Sequence, residues 1–341
     1  MLKPKKNIWL KALAIIAIIF IAFYIHITNG MFDMTITEVL KTMFGLESNP
    51  KFELVIFEFR LPRIIIALLV GIGLAIAGSV LQGITKNDLA DPGILGINAG
   101  AGAAVSFFML FFQFNASRAD GSQLLNIMMM PIFGLVGGVL AAAIIFVFAY
   151  KNGRLDVERL LLTGIAINTG FGALALYITL KMSERDFEMA ALWQTGTIYN
   201  ANWAFIIAML PWVTLLGIYI YRKKHLLDYF QLEESTIVSL GISIEKEKIK
   251  LLLASVGIVS ACVSVSGSIG FIGLMAPHIA RQLVGVHHKY VVPFSALIGA
   301  ALLLVSDFIA KTIFAPSELA VGVVVSIIGI PYFLYLLIKA R

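Results

Sequence analysis

Charge is what this sequence has least of, and cysteine comes next. Only 13% of its 341 residues are Asp, Glu, Lys or Arg, against about a quarter in soluble domains, while 60% are hydrophobic. The mean hydropathy is +0.93. No water-soluble core needs that much apolar surface, because a folded domain must still cover itself with polar groups. The one cysteine, Cys262, rules out a disulfide framework and reads as a small buried hydrophobe inside an apolar segment. There is no Gly-Lys dipeptide, which excludes a phosphate-cradling nucleotide loop. No Cys/His cluster has metal-ligand spacing; His287 and His288 are adjacent in a short basic loop. No serine-nucleophile motif or helical His-Glu pair occurs, so the chain is not expected to be an enzyme. The net charge of +6 sits beside apolar segments and is not interleaved with aromatics, a topology signal that excludes nucleic acid as a partner.

What the sequence does have is apolar runs. A helix needs roughly 20 residues to cross a bilayer core, and by that rule ten segments appear. They lie near 8–28, 62–84, 93–113, 126–150, 159–180, 202–221, 248–267, 270–284, 292–314 and 319–338. The fold class is therefore all-α, a polytopic membrane protein with one domain over 1–341. The first segment follows Lys3, Lys5 and Lys6 without a small-residue cleavage site and reads as a retained helix, though an uncleaved signal sequence looks the same. With the N-terminus in the cytoplasm, 18 of the 26 Lys and Arg residues fall on the inner side and 8 on the outer. That bias supports the count, the direction and two cytoplasmic termini.

The stretch "SVSGSIGFIGLMAPHIARQLVG" (264–285) breaks the apolar pattern with Gly267, Gly270, Gly273 and Pro277, then adds His278 and Arg281. As one helix, Lys248 to Val284 would run about 55 Å, far beyond a bilayer. Gly267 and Gly270 are expected to turn the chain back, leaving a short second piece. Interrupted helices of this kind are tolerated where protein or a water-filled cavity satisfies the loosened backbone, which points to a substrate pathway. "GIGLAIAGSVLQGITKNDLADPG" (71–93) carries Ala77-Gly78-Ser79 where the other stretch carries Ser266-Gly267-Ser268. The two occur in the second and seventh spans, which face opposite ways, as an inverted repeat requires. The repeats would cover about 60–200 and 248–338, after the N-terminal helix and on either side of a cytoplasmic loop at 228–247.

Few ionisable groups lie within spans. Asp307 and Lys311 are one helical turn apart and are expected to pair. His278 and Arg281 approach the inner face and read as snorkelling toward headgroups. The scarcity of intramembrane carboxylates disfavours a secondary carrier driven by an ion gradient. In the inner loop, Glu233 and Glu234 precede an apolar pattern that ends at Gly241, a short helix able either to lie on the bilayer or to receive a soluble partner. In "FRLPRI" (59–64), Arg60 and Arg63 precede the second span as interfacial anchors or as a basic patch for an acidic surface.

The segments "RLPR", "AGSVLQGITKNDLADPGILG", "RLLLTGIAIN", "LEESTIVSLGI", "GSIGFIGLMAPHIARQLVG", "SDFIAK" and "ELAVGVVVSIIGIPYFLYLL" together resemble the FecCD family, in the right order from about residue 60 to the C-terminus. Its members are permease subunits of ATP-binding cassette importers for ferric siderophores, haem and cobalamin. The resemblance implies an inverted-repeat importer permease fold in a bacterial cytoplasmic membrane. It implies a second permease, identical or related, two cytoplasmic ATPase subunits and an extracellular binding protein. No cofactor would be bound by this chain; ATP and magnesium would sit on the partner ATPase.

The same resemblance assigns docking of the binding protein to Arg60, Arg63 and Lys311. The family often has arginine at that last position, so the charge is kept and the bidentate fork lost. ATPase coupling would fall on Leu232, Glu233, Glu234, Ser235, Leu240 and Gly241. A cytoplasmic gate would include Asn87 and Leu89, where the family's Asn-Pro-Leu-Ala reads Asn-Asp-Leu-Ala. The pathway would be lined by Gly164, Asn168 and Gly170 with Gly322, Ser326 and Gly329, although helix packing also favours small residues. The expected cargo is an iron-siderophore complex, with haem or cobalamin as alternatives within the family.

Overall fold

The computed structural model describes residues 7–30, 32–46, 49–113, 123–151, 153–233, 237, 243–315 and 317–339. Eight helices are long and apolar enough to cross a membrane. They are α1 (Ile8–Thr28), α3 (Pro50–Thr85), α5 (Gln123–Ala149), α6 (Val157–Thr179), α8 (Trp203–Arg222), α10 (Ile244–Ser266), α12 (His288–Thr312) and α13 (Val321–Lys339). Two of the ten expected segments are shorter: α4 (Ile97–Phe112) and α11 (Ile272–Val284). Off the spans lie α2 (Ile36–Met43), α7 (Glu184–Gln194) and α9 (Lys224–Tyr229). One antiparallel hairpin joins β1 (Tyr150–Lys151) to β2 (Arg154–Leu155).

The core is built on α3 and α10, each 83% buried over its most apolar window, with α12 beside them. α3 packs against α12, α10 and α11, while α4 pairs with α5 and α6. Apolar side chains gain little by leaving lipid for protein, so close backbone approach has to drive these contacts. Gly71 of α3 and Gly299 of α12 meet so tightly that a Cβ on either would strike the other's backbone. Gly78 of α3 makes the same approach to Gly273 of α11. By contrast α1 and α6 are only 11% and 17% buried, leaving long apolar faces open.

Two features depart from expectation. The second span does not begin at residue 62: helix runs unbroken from Pro50, with Asn49 capping its start. Pro62 reads as a helix start because it has no N–H to give a preceding turn. Here residues Leu54–Arg60 widen into a π-helix immediately before it, which absorbs the missing bond and keeps the axis running. The second departure is at the break between α10 and α11. Gly267 has φ of +68° as expected, but the other left-handed residue is Phe271 at +65°, not Gly270. The break therefore includes a strained aromatic residue.

Candidate functional site

α3 carries charged clusters around Arg63 and at its C-terminal end, about 35 Å apart by helical rise. Thirteen residues into α3, Arg63 is buried and its guanidinium is held by two carboxylates. Nε and Nη2 donate to the two oxygens of Asp307 at 2.8 and 2.9 Å, and Nη1 donates to Glu318 at 2.7 Å. Asp307 is itself completely buried and also meets His26 Nε2 of α1 at 2.8 Å. Three spans are thus tied by one carboxylate. A buried charge demands such partners, since an unpaired one costs several kcal/mol. The expected helical pair between Asp307 and Lys311 does not form, because the arginine fork takes both carboxylate oxygens. Lys311 turns instead to the carbonyl of Asn29 at 3.0 Å. Arg60, also buried, donates to the carbonyls of Ile27 and Phe32. Both cations therefore cap the C-terminal end of α1, where the helix dipole leaves carbonyls unsatisfied. The three residues assigned to docking cluster here, with Gly30 between the Arg60 guanidinium and the Lys311 ammonium. All three are occupied within the chain.

The opposite end joins several segments through polar contacts. Gln231 Nε2 donates to the Gly83 carbonyl at 2.9 Å, and Lys86 Nζ to that of Leu232 at 3.0 Å. The segment just after α9 is thereby fastened to the last turn of α3. Asp228 accepts from both the backbone N–H of His288 at 2.8 Å and its ring Nδ1 at 2.7 Å. Burial works to raise the Asp228 carboxyl, but the hydrogen bonds and charge of His288 outweigh it and hold it below the usual carboxylate range. Leu232 and Glu233 are exposed beside this junction. Glu234, Ser235, Leu240 and Gly241 lie outside the described residues.

Between this junction and the helix break, Arg281 does not reach outward as a snorkelling side chain. It donates to Gln82 Oε1 and pairs with Asp88 at 3.2 Å. Gln82 is 2% exposed, and its amide reaches the carbonyls of Ala90 and Leu274, both at 3.2 Å. Asn87 caps its own turn by accepting the Leu89 N–H at 2.9 Å, while its neighbour Asp88 makes the contact to Arg281. His278 lies 2.7 Å from Gln282 on the same helix. Asp91 accepts the N–H groups of Gly93 and Phe271, at 2.9 and 3.0 Å. Burial pushes its carboxyl upward. The residues that sequence reasoning missed are His26, Gln82, Asp91, Asp228, Gln231 and Glu318. Two left a signal: His26 is an ionisable group in an otherwise apolar span, and Asp91 follows directly on the turn at Asn87–Ala90.

The six small residues assigned to the pathway divide. Asn168 and Gly170 are exposed on α6. Gly322 is pressed against the Thr195 carbonyl and Gly329 against the Phe271 ring. Ser326 returns its hydroxyl to the Gly322 carbonyl at 2.8 Å, and Gly164 is buried beside Gly96. A solvent-open cavity of about 430 Å³ lies along α7, lined by Glu184, Phe187, Glu188, Ala191, Leu192 and Thr195.

Comparison with known proteins matches residues 17–339 to the FecCD transport family. The chain is 49% identical over 326 residues to the iron-uptake system permease protein FeuC of Bacillus subtilis, covering 96% of each. It is 44% identical to the iron(3+)-hydroxamate import system permease protein FhuG of the same organism, over the full length of both. A solved structure of a metal-chelate type ABC transporter in an inward-facing conformation superposes with a TM-score of 0.82 at 26% identity, covering 96% of this chain and 98% of that one.

Proposed function

The chain belongs to the FecCD transport family, and we propose that it moves an iron-siderophore complex inward as the permease subunit of an ATP-binding cassette importer. The family match over nearly the whole chain supports the importer role. The names of the relatives at 49% and 44% identity support the iron chelate. The observation that carries the mechanism is the broken membrane element at Gly267–Phe271, whose second half is tied through Gln82 and Arg281 to the end of α3.

The Arg63 end faces outward and receives an extracellular binding protein. The Leu232 end faces the cytoplasm, with both termini, and receives an ATPase subunit. A second permease, identical or related, covers the open face of α6, where Asn168 and Gly170 meet the path. ATP and magnesium act on the ATPase, and this chain performs no covalent chemistry. When nucleotide closes the ATPase pair, the segment at Leu232 is pushed. The hydrogen bonds Gln231–Gly83 and Lys86–Leu232 pass that push to α3, and Gln82 passes it to α11. Asp88 and Arg281 then part or close, so that access alternates.

Uptake of radiolabelled ferric hydroxamate into vesicles holding the permease with its ATPase tests this reading. Accumulation that requires ATP supports it. Equal entry without nucleotide sinks the coupled mechanism, and exclusion of ferric chelates while haem enters sinks the cargo.

A further inference from the structure

The two carboxylates that hold Arg63 are not equivalent. Asp307 grips Nε and Nη2 in a two-point fork from a side chain that is 1% exposed. Glu318 holds Nη1 by one contact at 2.7 Å, and its side chain is 22% exposed. A planar bidentate pair fixes the plane of a guanidinium, while a single charge-assisted bond at the rim exchanges with any carboxylate that approaches from solvent. Asp307 therefore sets the orientation of Arg63, and Glu318 occupies only Nη1. Arg60 and Lys311 are held differently, by backbone carbonyls between residues 27 and 32 and not by carboxylates.

We propose that Glu318 is a built-in stand-in for the docking partner: an acidic side chain of the extracellular binding protein displaces it from Arg63 Nη1. This rests on the docking assignment made above and goes beyond it by naming the residue that competes. The exchange costs the chain little, because one carboxylate replaces another on the same donor. It also reaches further into the fold. Leu319 N–H donates to the Ala310 carbonyl at 3.1 Å, and Gly322 N–H donates to the Gly196 carbonyl at 3.0 Å. The segment that Glu318 anchors thus runs from Arg63 to the end of α7, beside the cavity lined by Thr195 and Leu192. Release of Glu318 loosens the segment leading to the end of α7 only when a partner is seated.

The test uses the full transporter in nanodiscs and has two arms. In the first, phenylglyoxal labels exposed guanidinium groups without any partner, and mass spectrometry reads Arg63 against Arg60 as internal reference. Glu318→Gln should raise Arg63 labelling several-fold and leave Arg60 unchanged, while Asp33→Asn, which removes a carboxylate whose charge acts on Arg60, should leave Arg63 as in the wild type. In the second arm, the solute-binding protein encoded with this permease is titrated. Glu318→Gln should tighten its affinity about tenfold, since a competitor has been removed. Unchanged Arg63 labelling in Glu318→Gln, or unchanged affinity, overturns the displacement. Arg63→Lys keeps a cation for Asp307 but gives up Nη1; if it binds the partner as well as the wild type does, the docking assignment itself falls, and the proposal with it.

Discussion

Asp91 accepts the backbone N–H of Phe271 at 3.0 Å, bridging 180 positions of sequence. That one bond holds a non-glycine residue in the left-handed region at the point where α11 begins. A strained backbone persists only where its surroundings over-determine it. Removing the acceptor should therefore do more than lose a hydrogen bond. Asp91→Ala leaves the partly buried N–H groups of both Gly93 and Phe271 without this acceptor, a cost of up to about 1–3 kcal/mol for each unsatisfied group. Asp91→Asn keeps one acceptor and should fall between the two. Unfolding midpoints in detergent check the order. Equal midpoints for Ala and wild type would mean that the break is held by something else.

Asp307 anchors three spans, so its loss should be the most damaging single change in the Arg63 cluster. Asp307→Ala leaves Arg63 as a buried charge held only by Glu318 and is expected to cost about 3–5 kcal/mol. His26→Gln retains a donor toward Asp307 and should stay within about 1 kcal/mol of wild type. Thermal unfolding of the two purified variants separates a carboxylate-centred cluster from one centred on the histidine.

Much of this was legible in the sequence, and the rest was hidden for definable reasons. Composition and period gave ten apolar segments, and the breakers at 264–285 announced an interrupted span. Pro62 misplaced the start of α3 because a π-turn is a backbone compensation that leaves no residue signature. Asp307 and Lys311 looked like partners because helical spacing is visible in sequence, whereas the preferred partner, Arg63, lies 244 positions away. Phe271 was passed over for the same reason, since the residue that stabilises it is remote. Local patterns are readable, and partners brought together by tertiary packing are not.

The ion pair between Asp88 and Arg281 is expected to matter for sealing more than for stability. Asp88 is 59% exposed, and exposed pairs contribute at most about 1 kcal/mol. Asp88→Asn should leave the unfolding midpoint nearly unchanged while raising nucleotide-independent leak of cargo from loaded vesicles. Reversing the pair, Asp88→Arg with Arg281→Asp, should restore the seal if the contact itself is the latch. A double variant that leaks like the single one would show that Arg281 acts through Gln82 instead.

Asp228 offers a dependence on pH whose direction is fixed by its partner. His288 holds its carboxyl below the usual value, against the opposing effect of burial. A carboxyl depressed in the folded state stabilises that state above its unfolded pKa, about 3.9, and the contribution is lost as pH falls through the folded value. The tie between α9 and α12 should therefore be intact across the neutral range and loosen only in acid. Asp228→Asn imposes the same loss at neutral pH, because the amide keeps an acceptor but no charge. Two outcomes follow from that chemistry. At pH 7 the variant should hydrolyse ATP with its partner subunit yet import less chelate per nucleotide, since the junction with the end of α3 is slackened. The gap between wild-type and variant unfolding midpoints should begin to narrow as the pH falls through about 3.9 and close only below the depressed folded-state value, where the wild-type carboxyl is also neutral. A gap of constant size from pH 7 to pH 3 would place the defect in packing, and the charge on Asp228 would have no part in coupling.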